Sequence, residues 1–223
     1  MLPPSLRRRW LRYRLKDPNY AFLFDPPPPD EAVSFDCETT GLDRARDDIV
    51  SIAAVRIKGN RILTSQRFEA VVRPTARMNP EAIKIHGLRE RDVAMGRALA
   101  DVLPQFLRFV GSRPLVGYYL EFDCAMVDRY LRRWLGIGLP NERREVSGLY
   151  YDLKYHDAPP GSHVDLTFAA ILAELDLPRV DQHDAYADAL MTAMIYLRLS
   201  DLKQRGQRLA RSVYQSRAAF TAG

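Results

Sequence analysis

Residues 35–41, Phe35-Asp36-Cys37-Glu38-Thr39-Thr40-Gly41, set the architecture and the chemistry expected of the rest of the chain. They continue an alternating run from Ala32 and end on a glycine, the pattern of a strand over Ala32–Cys37. Side chains alternate between the two faces of a strand. Val33, Phe35 and Cys37 therefore point one way, while Asp36 and Glu38 point the other, roughly 6–7 Å apart along the backbone. Two carboxylates on one face repel each other unless a cation lies between them, and oxygen ligands at a strand end suit magnesium or manganese. The competing reading is the polar outer face of an edge strand.

Working outward, Ile49–Ile57 and Arg61–Val72 are further alternating runs joined by Gly59-Asn60, which predicts a hairpin. Helical periodicity follows over Ala98–Val110 and Glu121–Trp134, with a short buried strand at Pro114–Gly117 between them. Tyr150–Leu153 suggests another short strand, and Asp165–Leu175 and Asp184–Leu202 read as helices. Three strands followed by alternating helices and strands predict an α/β fold: a mixed sheet, antiparallel in its first three strands, with helices packed on it. No internal repeat is visible. Residues 1–31 read as a basic N-terminal arm ending in a stiff Pro26–Pro29 spacer, residues 32–203 as the domain, and residues 204–223 as a basic tail.

The length of 223 residues suits one domain with short extensions, and 47% apolar residues can supply a continuous core. No apolar run is long enough to span a bilayer, and none follows the basic start as a signal peptide requires. The expectation is a cytoplasmic protein without a membrane partner. The Arg-rich, acid-poor start also has the sign of an organellar transit peptide, but it is short and holds a single serine. Cys37 and Cys124 form no CxxC or Cys/His spacing, so they read as reduced core residues rather than zinc ligands. The net charge of +5 is unevenly spread. Arg7, Arg8, Arg9, Arg12, Arg14 and Lys16 crowd the start, and Arg198, Lys203, Arg205, Arg208, Arg211 and Arg217 line the end. Basic ends around an acidic middle fit a chain that holds phosphates outside and metal inside; solvated helix faces are the alternative.

Two more acids stand in apolar surroundings. Asp123 shares a helical stripe with Met126, Val127 and Tyr130, where a charge is costly without a partner, although a first-turn acid favoured by the helix dipole is a rival account. Asp188 lies one turn into a helix whose positions 185–197 are almost all apolar, and His183 stands just before that helix. Metal ligation would compensate Asp188. For His183 alone, a hydrogen-bonded loop histidine would be the better account, but its place five residues before Asp188 favours a catalytic role.

Together these segments resemble the DnaQ-like (DEDDh) exonucleases over roughly Val33–Leu197. FDCETTGLD is similar to the family's first motif, VGYYLEFD to its second, and HDAYAD to its third, with the His-x4-Asp spacing of the histidine branch. The resemblance implies a ribonuclease-H-like fold. It also implies that Asp36, Glu38, Asp123 and Asp188 organise two divalent cations, Mg²⁺ or Mn²⁺, with His183 as general base. Asn79-Pro80-Glu81-Ala82-Ile83-Lys84-Ile85-His86-Gly87-Leu88 is similar to the family segment whose Glu and His approach the terminal nucleotide, which matches Glu81 and His86. Thr39 joins them as an implied substrate contact. An ordinary capped helix explains the same residues, with Asn79 as N-cap, Pro80 at the first position and Gly87 as terminator. The chain departs from the family at Tyr118-Tyr119, where His-Asn is common, so contacts near the substrate differ; two tyrosines offer faces for stacking an unpaired base.

The activity implied is hydrolysis from the 3′ end of single-stranded DNA, releasing nucleoside 5′-monophosphates, with two ions about 4 Å apart stabilising the pentacoordinate phosphate. His183, with a reference pKa of about 6.5, would take the proton of the attacking water. His163, in a Pro-Gly-Ser-His loop, is a rival base without a paired acid downstream. The partner implied is a nucleic acid with a free 3′ end, with a polymerase or a repair system as candidate protein partner. An RNA-trimming exonuclease and a non-catalytic nucleic-acid-binding module on the same fold are the alternatives.

Overall fold

A computed structural model describes residues 4–180 and 184–210. The chain opens with helix α1 (Pro4–Arg14) and a 3₁₀ turn at Pro18–Phe24, then forms β1 (Glu31–Thr39), β2 (Ile49–Lys58) and β3 (Arg61–Val71). These are the three strands predicted, and both pairings are antiparallel, with Asp36 opposite Ala53 and Glu38 opposite Ser51. β4 (Leu115–Gly117) and β5 (Arg143–Glu145) extend the sheet in parallel, giving the order β3-β2-β1-β4-β5. The strand carrying the paired acids is therefore central, which removes the edge-strand account of Asp36 and Glu38.

Between the strands lie α2 (Pro80–His86), α3 (Glu90–Val93), α4 (Leu99–Val110) and α5 (Leu120–Trp134); after them come α6 (Val146–Lys154), α7 (Phe168–Glu174) and α8 (Ala185–Gln204). α2 is capped as its sequence predicts. The Asn79 side chain accepts from the Glu81 N–H, and Gly87 ends the helix at φ 72°, a left-handed conformation that glycine adopts without a Cβ penalty. Two expectations are corrected. Tyr150–Leu153 is not a strand but the second half of α6, because Val146, Tyr150 and Leu153 recur at helical spacing and are buried together. The fifth strand is instead Arg143-Arg144-Glu145, three charged residues paired through backbone alone, which leave no apolar alternation to read. The helix expected from Asp165 starts only at Phe168, since Thr167 caps it by accepting from the Ala170 N–H.

The alternation of β1 divides the core. Val33, Phe35 and Cys37 pack with α4 and α5 on one side of the sheet, while Ala32 packs with α6, α7 and α8 on the other. Asp36 and Glu38 share the parity of Ala32 and so point to the side where α8 lies across β1 and β2. The basic arm belongs to the first core. Leu11, Tyr20, Leu23 and Phe24 are buried in it, Tyr20 meets Trp134 edge-on at 4.9 Å, and the Lys16 N–H donates to the Leu135 carbonyl. Among the described residues, no helix is long and apolar enough to cross a membrane.

Candidate active site

β1 presents Asp36 and Glu38, and α8 brings Asp188 onto the same face of the sheet. Oxygen atoms of the three carboxylates lie within 4.8 Å of one another. The alternation of β1 fixes the first two. The third depends on where α8 begins, and Asp184 sets this by accepting from the Ala187 N–H as N-cap, which leaves Asp188 in the first turn.

The electrostatics of the group are unfavourable without a cation. Burial raises Asp36 to about 8, helped by the charges of Asp188 and Asp184. Burial likewise raises Glu38 to about 9, with Asp36, Asp188 and Asp184 adding to it. Asp123, in the first turn of α5 and 4% exposed, lies outside the close group of three but borders it. Its carboxyl is held well above the usual range by burial and by the charge of Asp36, against which a hydrogen bond from the Cys37 backbone works in the opposite direction. An all-oxygen set of carboxylates that repel one another in a partly desolvated pocket fits a hard divalent cation.

The other residues expected at the site have varied surroundings. Thr39 is buried, and its hydroxyl donates to the Gly41 carbonyl at 2.7 Å. His86 is also buried and ties α2 to the end of β1. The Leu88 N–H donates to its Nδ1 at 3.1 Å, which leaves Nε2 to carry the proton and donate to the Thr39 carbonyl at 3.2 Å. Glu81 sits on the solvent side of α2 in an ion pair with Lys84. Tyr118 and Tyr119 differ in their surroundings. The Tyr118 hydroxyl donates to the Leu166 carbonyl, and its ring packs on Phe168; Tyr119 is 65% exposed and stacks on Phe122 with an interplanar angle of 19°. His183 lies outside the described residues. The rival His163 is exposed in the loop before α7. Cys37 and Cys124 are free and buried, with the Cys37 thiol raised first by burial and then by Asp123 and Asp36.

Two acids escaped the sequence reading. Asp184 was legible only as the start of a helix, yet its charge acts on both Asp36 and Glu38. Glu145 was hidden in a charged stretch, but one carboxylate receives the Tyr119 and Leu120 N–H groups, at 3.1 and 2.8 Å, and the Ser147 N–H and hydroxyl. It thereby caps α5 and α6 together and fixes the turn that carries Asp123. Tyr119 adopts φ 57° there, a left-handed conformation uncommon for a tyrosine.

A mixed five-stranded sheet that gathers carboxylates from its central strand and from helices on both faces defines a ribonuclease-H-like α/β domain. The exonuclease family model (RNase_T) matches residues 33–196, and the chain belongs to that family. The resemblance to DnaQ-like exonucleases is thereby borne out. The chain is 29% identical over 178 residues to a PolC-type DNA polymerase III of Thermotoga maritima, covering 78% of this chain and 12% of that one. It is 31% identical over 176 residues to a DNA polymerase III subunit epsilon-like protein of Rhodobacter capsulatus, covering 78% and 24%. The chain thus spans only a small part of the length of these relatives. Among solved structures, E. coli exonuclease I in a single-stranded DNA complex superposes with a TM-score of 0.66 at 18% identity, covering 80% of this chain and 42% of that one. Cell-death related nuclease 4 superposes at 0.64 and 15%, covering 78% and 64%. At these identities the structural likeness speaks for the fold.

Proposed function

We propose that this protein is a 3′-to-5′ exonuclease that hydrolyses the terminal phosphodiester of single-stranded DNA and releases nucleoside 5′-monophosphates, using two divalent cations, Mg²⁺ or Mn²⁺. The observation that carries the reading is the approach of Asp36, Glu38 and Asp188 within 4.8 Å, in a chain of the exonuclease family. Asp36, Glu38 and Asp188 would hold the cations, with Asp123 completing the set from α5. Bound there, the cations would supply an acidified water and neutralise charge on the phosphate. His183, next in sequence to the Asp184 cap, accepts the proton of the attacking water, the usual task of a positioned imidazole. Thr39, Glu81, His86, Tyr118 and Tyr119 shape the approach of the terminal nucleotide. Of these, His86 steadies the end of β1 through the Thr39 carbonyl, and the exposed ring of Tyr119 offers a stacking face.

The names of the relatives, a PolC-type DNA polymerase III and a DNA polymerase III subunit epsilon-like protein, favour work on DNA beside a polymerase; a repair partner is the alternative, and a cytoplasmic setting belongs to the same proposal. The test is degradation of matched 5′-labelled single-stranded DNA and RNA with Mg²⁺, Mn²⁺ or EDTA. A metal-dependent ladder shortening from the 3′ end, faster on DNA, is the expected result. Preference for RNA would reassign the substrate, and no cleavage with any metal would return the chain to the class of binding modules.

A further inference from the structure

We infer that the outward face of α1 is a second nucleic-acid contact surface, which takes the unpaired stretch of a substrate strand lying 5′ of the end being hydrolysed; this rests on the exonuclease reading above. The first 16 residues contain Arg7, Arg8, Arg9, Arg12, Arg14 and Lys16 and no acid. The helix is fastened by one face only. Leu11 is buried in the core, and Arg8 donates to the Leu23 and Asp25 carbonyls at 3.3 and 3.0 Å, its guanidinium 5.6 Å from the centre of the Phe24 ring.

On the opposite face, Leu6, Trp10 and Tyr13 follow one another at helical spacing and stay 51%, 48% and 90% exposed. A rotation of about 100° per residue sets Arg7 and Arg14 along one flank of this ridge and Arg9 along the other, with Arg12 exposed farther round, beside the anchored Arg8. Arg14 lies 4.8 Å from the centre of the Trp10 ring, so a cation and a stacking surface are already joined there. Among the described residues, no carboxylate pairs with any of these four arginines. Exposed aromatic rings between unpaired cations match unpaired bases on a phosphate backbone, each ring stacking a base while the flanking cations meet phosphates. A bilayer surface fits less well, since an interfacial helix needs a broad apolar face and here the ridge is one leucine and two aromatics wide.

α5 links this surface to the catalytic centre. Asp123 lies in its first turn, and the Leu135 carbonyl at its other end accepts from the Lys16 N–H. The helix rises about 18 Å between them at about 1.5 Å per residue. A stacked strand advances about 3.4 Å per nucleotide, so roughly five nucleotides separate the two and a trinucleotide at the centre falls short of α1.

The test uses the full chain with Arg7→Gln, Arg9→Gln, Arg12→Gln and Arg14→Gln combined, and separately with Trp10→Ala and Tyr13→Ala combined. Arg8 and Leu11 are kept because they anchor the helix. Anisotropy of a labelled single-stranded 20-mer in EDTA, across a salt series, reads binding without hydrolysis; trinucleotide hydrolysis with Mg²⁺ reads the centre alone. Both variants are expected to weaken 20-mer binding about tenfold or more, the arginine variant with a log–log salt slope shallower by about 3, and to hydrolyse the trinucleotide as the parent does. Unchanged 20-mer affinity would overturn the inference, and if binding to phosphatidylserine vesicles fell instead, α1 would be a membrane contact. An equal loss on both substrates would also overturn it, by making α1 a structural support of the centre. If the parent degrades neither the trinucleotide nor the 20-mer with Mg²⁺, the exonuclease reading fails, while a loss of 20-mer affinity in EDTA still supports the surface.

Discussion

Asp36 on the central strand and Asp188 in the first turn of the last helix hold carboxylate oxygens within 4.8 Å of each other, with Glu38 in the same group. Residues 152 positions apart in sequence are thus pressed together with like charge, and burial raises Asp36 to about 8 and Glu38 to about 9. A carboxyl whose folded pKa is raised stabilises the fold most when protonated. That contribution is complete below the ordinary carboxylate pKa of about 4 and is lost as pH rises through the folded value. In EDTA, the melting temperature should therefore fall between about pH 5 and 9, and Asp36→Asn should raise it at pH 8 and flatten the profile. A gain of about 2–4 °C per kcal/mol is expected for a chain of this size, and Mg²⁺ should stabilise the parent more than the variant. Calorimetry with and without Mg²⁺ decides it; a profile independent of pH and metal would remove the basis for a cation site.

Asp36→Ala should abolish hydrolysis, a loss of at least ~10³-fold if the lost ligation is worth several kcal/mol, with the circular dichroism spectrum unchanged. A purified variant that keeps parental turnover would sink the site assignment.

For His183→Ala, kcat is expected to fall by about 10²–10⁴-fold, the usual contribution of a general base, with KM little altered. A purified variant that keeps the parental kcat would move the base elsewhere.

Asp48 should govern acid stability. It accepts from the Thr75 N–H and hydroxyl and from the Ala76 N–H, and it receives Arg129 at 2.9 Å and the Tyr130 hydroxyl at 2.5 Å. Burial alone would raise this carboxyl, but the hydrogen bonds from Thr75, Tyr130 and Ala76 outweigh it and bring it down to about 2. A depressed carboxyl stabilises the fold above its unfolded pKa, so stability should be lost as pH falls from about 4 to about 2. Nearly two units at 1.36 kcal/mol each put the contribution at about 2–3 kcal/mol. Asp48→Asn should cost a similar amount at pH 7 and weaken the dependence between pH 2 and 4, which urea unfolding at several pH values would show.

Glu145→Ala should cost about 1–2 kcal/mol, because the caps of α5 and α6 are lost together, and should lower kcat by loosening the turn that positions Asp123. Urea unfolding and steady-state kinetics with the same preparation measure both effects. A stability loss with unchanged kcat would confine Glu145 to a structural role.

Local patterns carried much of this protein into view. The period of two in residues 32–37 determined that Asp36 and Glu38 share a face, and the cap residues Asn79, Gly87 and Asp184 marked helix ends, because such signals need only neighbours a few residues away. β5 was not legible, since Arg143-Arg144-Glu145 carries no apolar alternation and pairs only through its backbone. The basic arm read as an appendage because its anchors, Leu11, Tyr20, Leu23 and Phe24, are scattered among arginines and prolines, and nothing local reveals the surface they cover. The sequence by itself determined which acids are available, in what order, and on which face of their own strand or helix each one lies. Only the tertiary structure decided that α8 crosses β1 and β2 on the side of Asp36 and Glu38, that Asp123 borders them from the other face, and that Asp184 adds its charge to theirs. Periodicity orients a side chain about its own axis, whereas the distance between two elements is set by the packing of both faces of the sheet.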